Sequence, residues 1–249
     1  MRHEKAVSMQ TCAADDTLPR LLAHNATQHG MAIAMREKDR GIWKEMTWSD
    51  YFNEVLVCAA GLDALRVRPG DAVMILGDNR ARLYAGMTAS SMLGAYAMPA
   101  YPGTTLDELR HFVSEVHVVA ALAEDQEQVD KFLDLREAGS AIEYIVYEDK
   151  RGLNTYDAPG LLSWEELLDK GKANLKANPK LGIASLIAQR RTIRQYSCIR
   201  QVQPVSQRVS CSATEMSLPQ FAMHIRAGHS IMVKRSSLTC RWHGLGILP

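Results

Sequence analysis

The sequence is poor in the features that mark secreted, membrane-spanning or metal-organised proteins. Among its 249 residues are five cysteines. Cys12 and Cys58 stand far from Cys198, Cys211 and Cys240, the count is odd, and polar residues rather than an apolar stretch follow Met1-Arg2-His3-Glu4-Lys5. A disulfide framework is therefore not expected, and a reducing, cytoplasmic setting is. Long apolar runs are also missing. The most apolar stretch, residues 83–101, is broken by Thr88, Ser90, Ser91 and Gly94, so it reads as helix, turn and strand, not a membrane span. Acid is nearly absent from one part of the chain. Residues 186–249 carry eight Arg and one Lys against Glu215 alone, a net charge of +8, while the remainder carries −7.

Such a split can signal a basic nucleic-acid-binding arm. Arg190, Arg191, Arg194 and Arg200 do cluster, but no aromatic interleaving or helical stripe accompanies them. Solvated basic residues explain them more simply, and no nucleic-acid partner is expected. Cys240-x-x-His243 resembles half a zinc site without a second pair at matching spacing, and His224 and His229 do not share a helical face. No metal site is expected.

What is present, up to about residue 180, alternates helix and strand. Thr17, with Asp16, can cap a helix bearing Leu18, Leu21 and Leu22. Residues 32–36 and 42–46 read as two strands around the turn Lys38-Asp39-Arg40-Gly41. Thr47 with Asp50 is a capping-box signal. Behind it Tyr51, Val55, Cys58, Leu62 and Leu65 recur at spacings of three and four, one buried helical face.

Pro69-Gly70-Asp71 then turns the chain into Ala72-Val73-Met74-Ile75-Leu76, an apolar run suited to a strand covered on both faces. Residues 81–93 read as helix, with Gly94 at its C-terminus. Residues 96–100 follow as strand. Thr105 and Glu108 form a capping box ahead of Leu109, Phe112, Val113 and Val116. Strands at 118–123 and 142–147 flank a helix at 127–136. A polar loop covers 151–159, and Ser163 with Glu166 caps a helix from Trp164 to about residue 175. Strands separated by helical segments imply an α/β fold with a mostly parallel sheet covered by helices. We expect Val73, Ile75, Leu109, Val113, Val119 and Ile145 to be buried, and residues 186–249 to be irregular.

The segment Val67-Arg68-Pro69-Gly70-Asp71-Ala72-Val73-Met74-Ile75-Leu76, followed by Asn79-Arg80, is similar to "V-x-x-G-D-x-V-x-I-L-x-x-N-R" of acyl-CoA synthetases. Gly94-Ala95-Tyr96-Ala97-Met98-Pro99-Ala100-Tyr101-Pro102 is similar to their "G-A-x-x-x-P-x-Y-P". Thr104-Thr105-Leu106-Asp107-Glu108-Leu109 and the upstream Met46-Thr47-Trp48-Ser49-Asp50-Tyr51 continue the likeness. In order and spacing, residues 17–180 resemble the N-terminal subdomain of the AMP-binding, adenylate-forming family, and bacterial long-chain fatty-acid–CoA ligases in particular. Ala81-Arg82-Leu83-Tyr84 departs from the acidic–aromatic pair common after Asn-Arg in the family. The motif residues Gly70, Asp71, Asn79, Arg80, Gly94, Ala95, Pro99, Tyr101 and Pro102 are read as scaffold, with Tyr101 and Pro102 as candidate borders of a ligand cleft.

The resemblance implies a ligase that uses ATP and Mg²⁺ to adenylate a fatty acid and then forms a thioester with CoA, with peripheral membrane association as a possibility set by its lipid substrate. It also implies a phosphate loop, "Y-T-S-G-T-T-G-x-P-K-G", whose small residues let backbone N–H groups reach the phosphates. No such string occurs in this chain, and no catalytic, cofactor-binding or metal residue of the family is assigned to it. The codons able to encode residues 198–209, read from the third base of each, permit Tyr-Thr-Ser-Gly-Thr-Thr-Ser-x-Pro-Lys-Gly. Residues 209–216 permit "V-M-L-S-H-x-N", the expected continuation. The expectation is a reading frame that shifts before about Thr192, making residues 186–249 an out-of-frame tail and this chain an inactive fragment. The alternatives are a remnant that binds intact ligase or associates with itself through its uncovered face, and a basic-tailed nucleic-acid-binding module.

Overall fold

Ala72-Val73-Met74-Ile75-Leu76 has no polar side chain on either face, so the rest of the fold is arranged to keep water from both. The computed structural model describes residues 17–39, 41–178 and 231–233. In chain order these form α1 (Leu18–His29), the strands β1 (Ile33–Asp39) and β2 (Ile42–Thr47), and α2 (Trp48–Ala64). Then come β3 (Ala72–Leu76), α3 (Ala81–Leu93), β4 (Tyr96–Ala100), α4 (Leu106–Glu115), β5 (Val118–Ala123) and α5 (Gln126–Glu137). The last elements are β6 (Tyr144–Tyr147), β7 (Leu161–Ser163), α6 (Trp164–Ala177) and β8 (Ile231–Val233).

The main sheet is five-stranded, in the order β4-β3-β5-β6-β7, and every pairing is parallel. All five residues of β3 are buried. Because side chains alternate along a strand, Val73 and Ile75 join a cluster with Tyr51, Val55 and Leu62 of α2 and Ala85 and Ala89 of α3. Ala72, Met74 and Leu76 join the opposite cluster, with Leu109 and Phe112 of α4 and Val129 and Phe132 of α5. This is the expected α/β architecture. Each large side chain so removed from water contributes about 1.5–3 kcal/mol.

Local signals set the helix starts. Thr47 and Asp50 form a reciprocal capping box, as do Thr105 and Glu108 and Ser163 and Glu166. Thr17 does occupy the N-cap of α1, but its side chain makes no capping hydrogen bond, and Pro19 in the first turn presets the helical φ instead. We therefore expect Thr105→Ala to cost about 1 kcal/mol and Thr17→Ala only a few tenths. Thermal melts followed by ellipticity at matched low concentration would show the contrast, and equal shifts would contradict it.

α2 and α6 touch at glycines. A Cβ on Gly171 would run into the Val57 carbonyl oxygen and stand 3.0 Å from the Gly61 nitrogen. Asn174 Nδ2 donates to the Ala60 carbonyl at 3.0 Å, closing the same seam. Gly171→Ala should gain up to about 1 kcal/mol of helix propensity but lose about 1–3 kcal/mol to overpacking against main chain that cannot step aside. The expected net result is a lower melting temperature, and a raised one would show that the helices separate freely.

Several expectations need correction. Val113 and Val119 are half-buried, packed against the edges of the two clusters instead of inside them. The strand expected from Ile142 begins at Tyr144, although Ile142 is buried. β7 was not expected, since three residues show no period. It pairs with β6 through Ile145↔Leu161 to Tyr147↔Ser163. From the segment expected to be irregular, Ile231–Val233 pairs in parallel with Met35, Arg36 and Glu37 and extends the β1–β2 hairpin to three strands. Cys198, Cys211, His224, His229, Cys240 and His243 lie outside the described residues.

Candidate functional site

The nine motif residues divide between the two ends of the sheet. Gly70, Asp71, Gly94 and Ala95 sit at the end where β3 and β4 begin. Gly70 and Gly94 have φ of +93° and +78°, which a side chain would strain. The Gly70 N–H donates to the Gly94 carbonyl at 3.0 Å. The Tyr96 N–H donates to the Asp71 carbonyl at 2.7 Å, and the Arg68 N–H to Asp71 Oδ2 at 2.7 Å. Ala95 is buried. These four residues align two strands.

Asn79, Arg80, Pro99 and Tyr101 gather at the other end, where the chain leaves β3 and β4. The α3 connection runs to one face of the sheet, while α4 and α5 cover the other. Such a switch in direction opens a crevice at the carboxyl ends of the strands. Here it is a cavity of about 260 Å³ with a wall of Ile75, Leu83, Met87 and Pro99 and a rim of Asn79, Tyr84 and Tyr101. Tyr84 Oη donates to Asn79 Oδ1 at 3.0 Å, and burial pushes the Tyr84 hydroxyl above its ordinary pKa. Tyr101 is 75% exposed. Pro102 lies outside the cavity wall, and its carbonyl accepts from Lys131 Nζ at 2.6 Å.

Arg80 enters the site from beneath, through acids that motif reading missed. Its Nε and Nη2 donate to Glu148 Oε1 at 3.2 and 2.9 Å. Its Nη1 lies 2.7 Å from Glu37 Oε1, close enough for an ion pair but out of line for a hydrogen bond. Glu124 Oε1 is 3.8 Å away, and Glu124 Oε2 accepts the Asp78 N–H at 2.6 Å. Burial works against the Arg80 charge, but Glu148, Glu37 and Glu124 outweigh it and raise its pKa. A topological signal was available in the sequence. Glu124 and Glu148 each stand one residue beyond a parallel strand, so they converge at the carboxyl end of the sheet.

The departure at Ala81-Arg82-Leu83-Tyr84 also has a structural use. Arg82 pairs with Glu165 at 2.9 Å and stands over the Trp164 ring, whose Nε1 donates to Glu54 Oε1 at 2.9 Å. Arg82 thus ties α3 to α6 and α2.

A magnesium nucleotide would need a phosphate loop and acidic ligands for the metal. The Asn79–Tyr101 cavity is smaller than the roughly 300–1,000 Å³ usual for small-molecule sites, whereas a wider, more open cleft of about 620 Å³ between α2, α6 and the β6–β7 strands is lined by Leu65, Tyr144, Lys170 and Asn174. The Gly-rich loop is absent from the sequence, and no group of three or more acids, His or Cys among the described residues is arranged to hold a metal. No helix among them is long and apolar enough to cross a membrane.

Comparison with known proteins supplies the family. The long-chain-fatty-acid–CoA ligase ACSBG2 of Xenopus laevis is 22% identical over 157 residues, 63% of this chain and 21% of that protein. An uncharacterized protein of Mycobacterium tuberculosis is 29% identical over 145 residues, 58% of this chain and 79% of that one. The structure of acetoacetyl-CoA synthetase from Streptomyces lividans matches with a TM-score of 0.55 at 21% identity, covering 62% of this chain and 25% of that one. The chain thus spans about a fifth of the ACSBG2 ligase and a quarter of the synthetase. Members of this family use ATP and CoA in general. The profile of the AMP-binding enzyme family matches residues 22–180, and the chain belongs to that family.

Proposed function

We propose that this chain is the N-terminal portion of an ATP-dependent long-chain fatty-acid–CoA ligase and cannot itself carry out the reaction. One observation carries the reading. The family match ends at residue 180, and the phosphate loop that should follow is legible only in a shifted frame of residues 198–209. On this reading residues 17–180 are subdomain and residues 186–249 are out-of-frame tail.

In the intact enzyme a carboxylate oxygen attacks the α-phosphorus of ATP and pyrophosphate leaves. The CoA sulfur then attacks the acyl carbonyl carbon and AMP leaves. ATP, Mg²⁺, CoA and the fatty acid are requirements of that enzyme, a cytoplasmic protein on the cysteine pattern, whose lipid substrate would draw it to membrane surfaces. The residues of this chain contribute a rigid sheet edge and a shallow apolar crevice. None of its described side chains forms a phosphate cradle, so no step of the chemistry is assigned to them.

A second reading is a remnant that docks on intact ligase or on itself. The large apolar side chains left exposed at Met31, Ile42, Trp43 and Tyr101 favour it. Sequencing the codons for residues 175–192 tests the frame directly. Pyrophosphate exchange into ATP by this chain and by the frame-restored enzyme tests the function.

A further inference from the structure

The Arg80 cluster has more negative charge than its single cation can balance. Glu37 comes from β1, Arg80 from the entry to α3, Glu124 from the end of β5 and Glu148 from the end of β6. Their side chains are 13%, 11%, 9% and 8% exposed. With all three carboxylates ionised the group would carry two uncompensated charges away from bulk water. Among the neighbours, Lys44 of β2 stands opposite Glu37 across the hairpin on an exposed stretch, and the other neighbours add negative charge or are already paired. Asp78 and Asp125 add negative charge beside Glu124. Arg82 is the other cation acting on Glu148, but it is paired with Glu165 and stands 3.8 Å from Glu54.

We propose that Glu124 and Glu148, which share Arg80 with Glu37 of the β1–β2 hairpin, form a proton-binding site that keeps one proton in the folded chain, and that the negative charge left when the proton is lost weakens the anchorage of the hairpin through Glu37. Like-charged carboxyls that share one cation ionise as a unit and not one by one. The hairpin is the sensitive part because Glu37 is its contribution to the cluster. The ion pair of Arg36 with Glu45 at 2.9 Å lies within the hairpin and is exposed.

The direction of the pH effect follows from the shifts. Burial pushes Glu124 and Glu148 above the ordinary carboxylate range, and Arg80 only partly offsets this. A raised carboxyl pKa contributes stability that is full below the unfolded value of about 4.3 and is lost as pH climbs through the folded values. Glu166 works oppositely. Hydrogen bonds from the Ser163 backbone and side chain hold it low, so its contribution is present above the ordinary range and lost in acid. Hairpin anchorage should therefore be firmest in mild acid and weaken toward alkaline pH. The inference does not depend on the ligase reading.

Hydrogen exchange of the full chain at about pH 5.5 and about pH 8, corrected for intrinsic exchange, tests it. Protection of the β1–β2 amides should fall with rising pH, by up to about tenfold per unit if one proton is linked to opening. Glu37→Gln should flatten that dependence, and Glu45→Gln on the exposed face should retain it. Should Glu37→Gln fail to fold, the infrared spectrum of the unmodified chain decides. It should show neutral carboxylic acid at about pH 6 beyond that of the unfolded chain. Hairpin protection that ignores pH, an unchanged slope in Glu37→Gln, or no excess neutral acid would overturn the proposal.

Discussion

Arg80→Met should destabilise the described lobe by about 3–5 kcal/mol, a large share of the total stability of an ordinary domain. Methionine replaces most of the side-chain volume, so the loss is electrostatic. It leaves Glu37, Glu124 and Glu148 at 8–13% exposure with no guanidinium, and it removes the hydrogen bonds to Glu148. An exposed ion pair would be worth only about 0–1 kcal/mol. The size of the effect thus reports how dry the cluster is. Protonation relieves the orphaned acids, so the defect should be smallest in mild acid and grow as pH rises. Pairing Arg80→Met with Glu148→Gln should recover more than about 1 kcal/mol, because the two residues are in direct contact. Urea unfolding followed by ellipticity supplies all of these values. A single variant within about 0.5 kcal/mol of the parent would place the cluster in solvent and undercut its assignment as a structural knot.

The two halves of that knot differ in how far sequence reveals them. Arg80 stands in a recognisable string after a buried strand, and β3, α3 and β4 around it were legible because each carries a long run, a sustained period or a cap. Its partners are not local. Glu148 is 68 residues away in the chain, and the bond from Trp164 to Glu54 spans 110. Nothing in the periodicity around Glu124 or Glu148 distinguishes a buried acid from a solvated turn residue. Only the parallel strand order, which brings the ends of β5 and β6 beside that of β3, makes the acids converge. β7 escaped notice because three residues carry no period, and Val119 because the register shifts between β3 and β5 near Ala72. Of the motif residues, Gly70, Asp71, Gly94 and Ala95 stand where β3 and β4 begin and align those strands, while Asn79, Arg80, Pro99 and Tyr101 surround the crevice at the other end.

The chain as it stands should give no fatty-acid-dependent exchange of pyrophosphate into ATP and no acyl-CoA. Attack on the α-phosphorus builds charge on non-bridging oxygens, and donors fixed before the reaction supply most of the stabilisation. Losing one such donor typically costs about 10²–10³ in rate. This chain lacks the whole Gly-rich, Lys-bearing loop. Several losses of that size together put the rate below detection. On the frame-shift reading the loss should be repairable. A one-base correction before residue 192, with the downstream sequence read in frame, should restore exchange first and thioester formation once CoA is added. The same correction with the loop Lys replaced should restore the fold but not exchange, which separates lost chemistry from lost folding. Exchange by the uncorrected chain would remove the inactive-fragment reading. A soluble corrected enzyme that adenylates no fatty acid of any length would remove the ligase reading while leaving the fold and the Arg80 knot untouched.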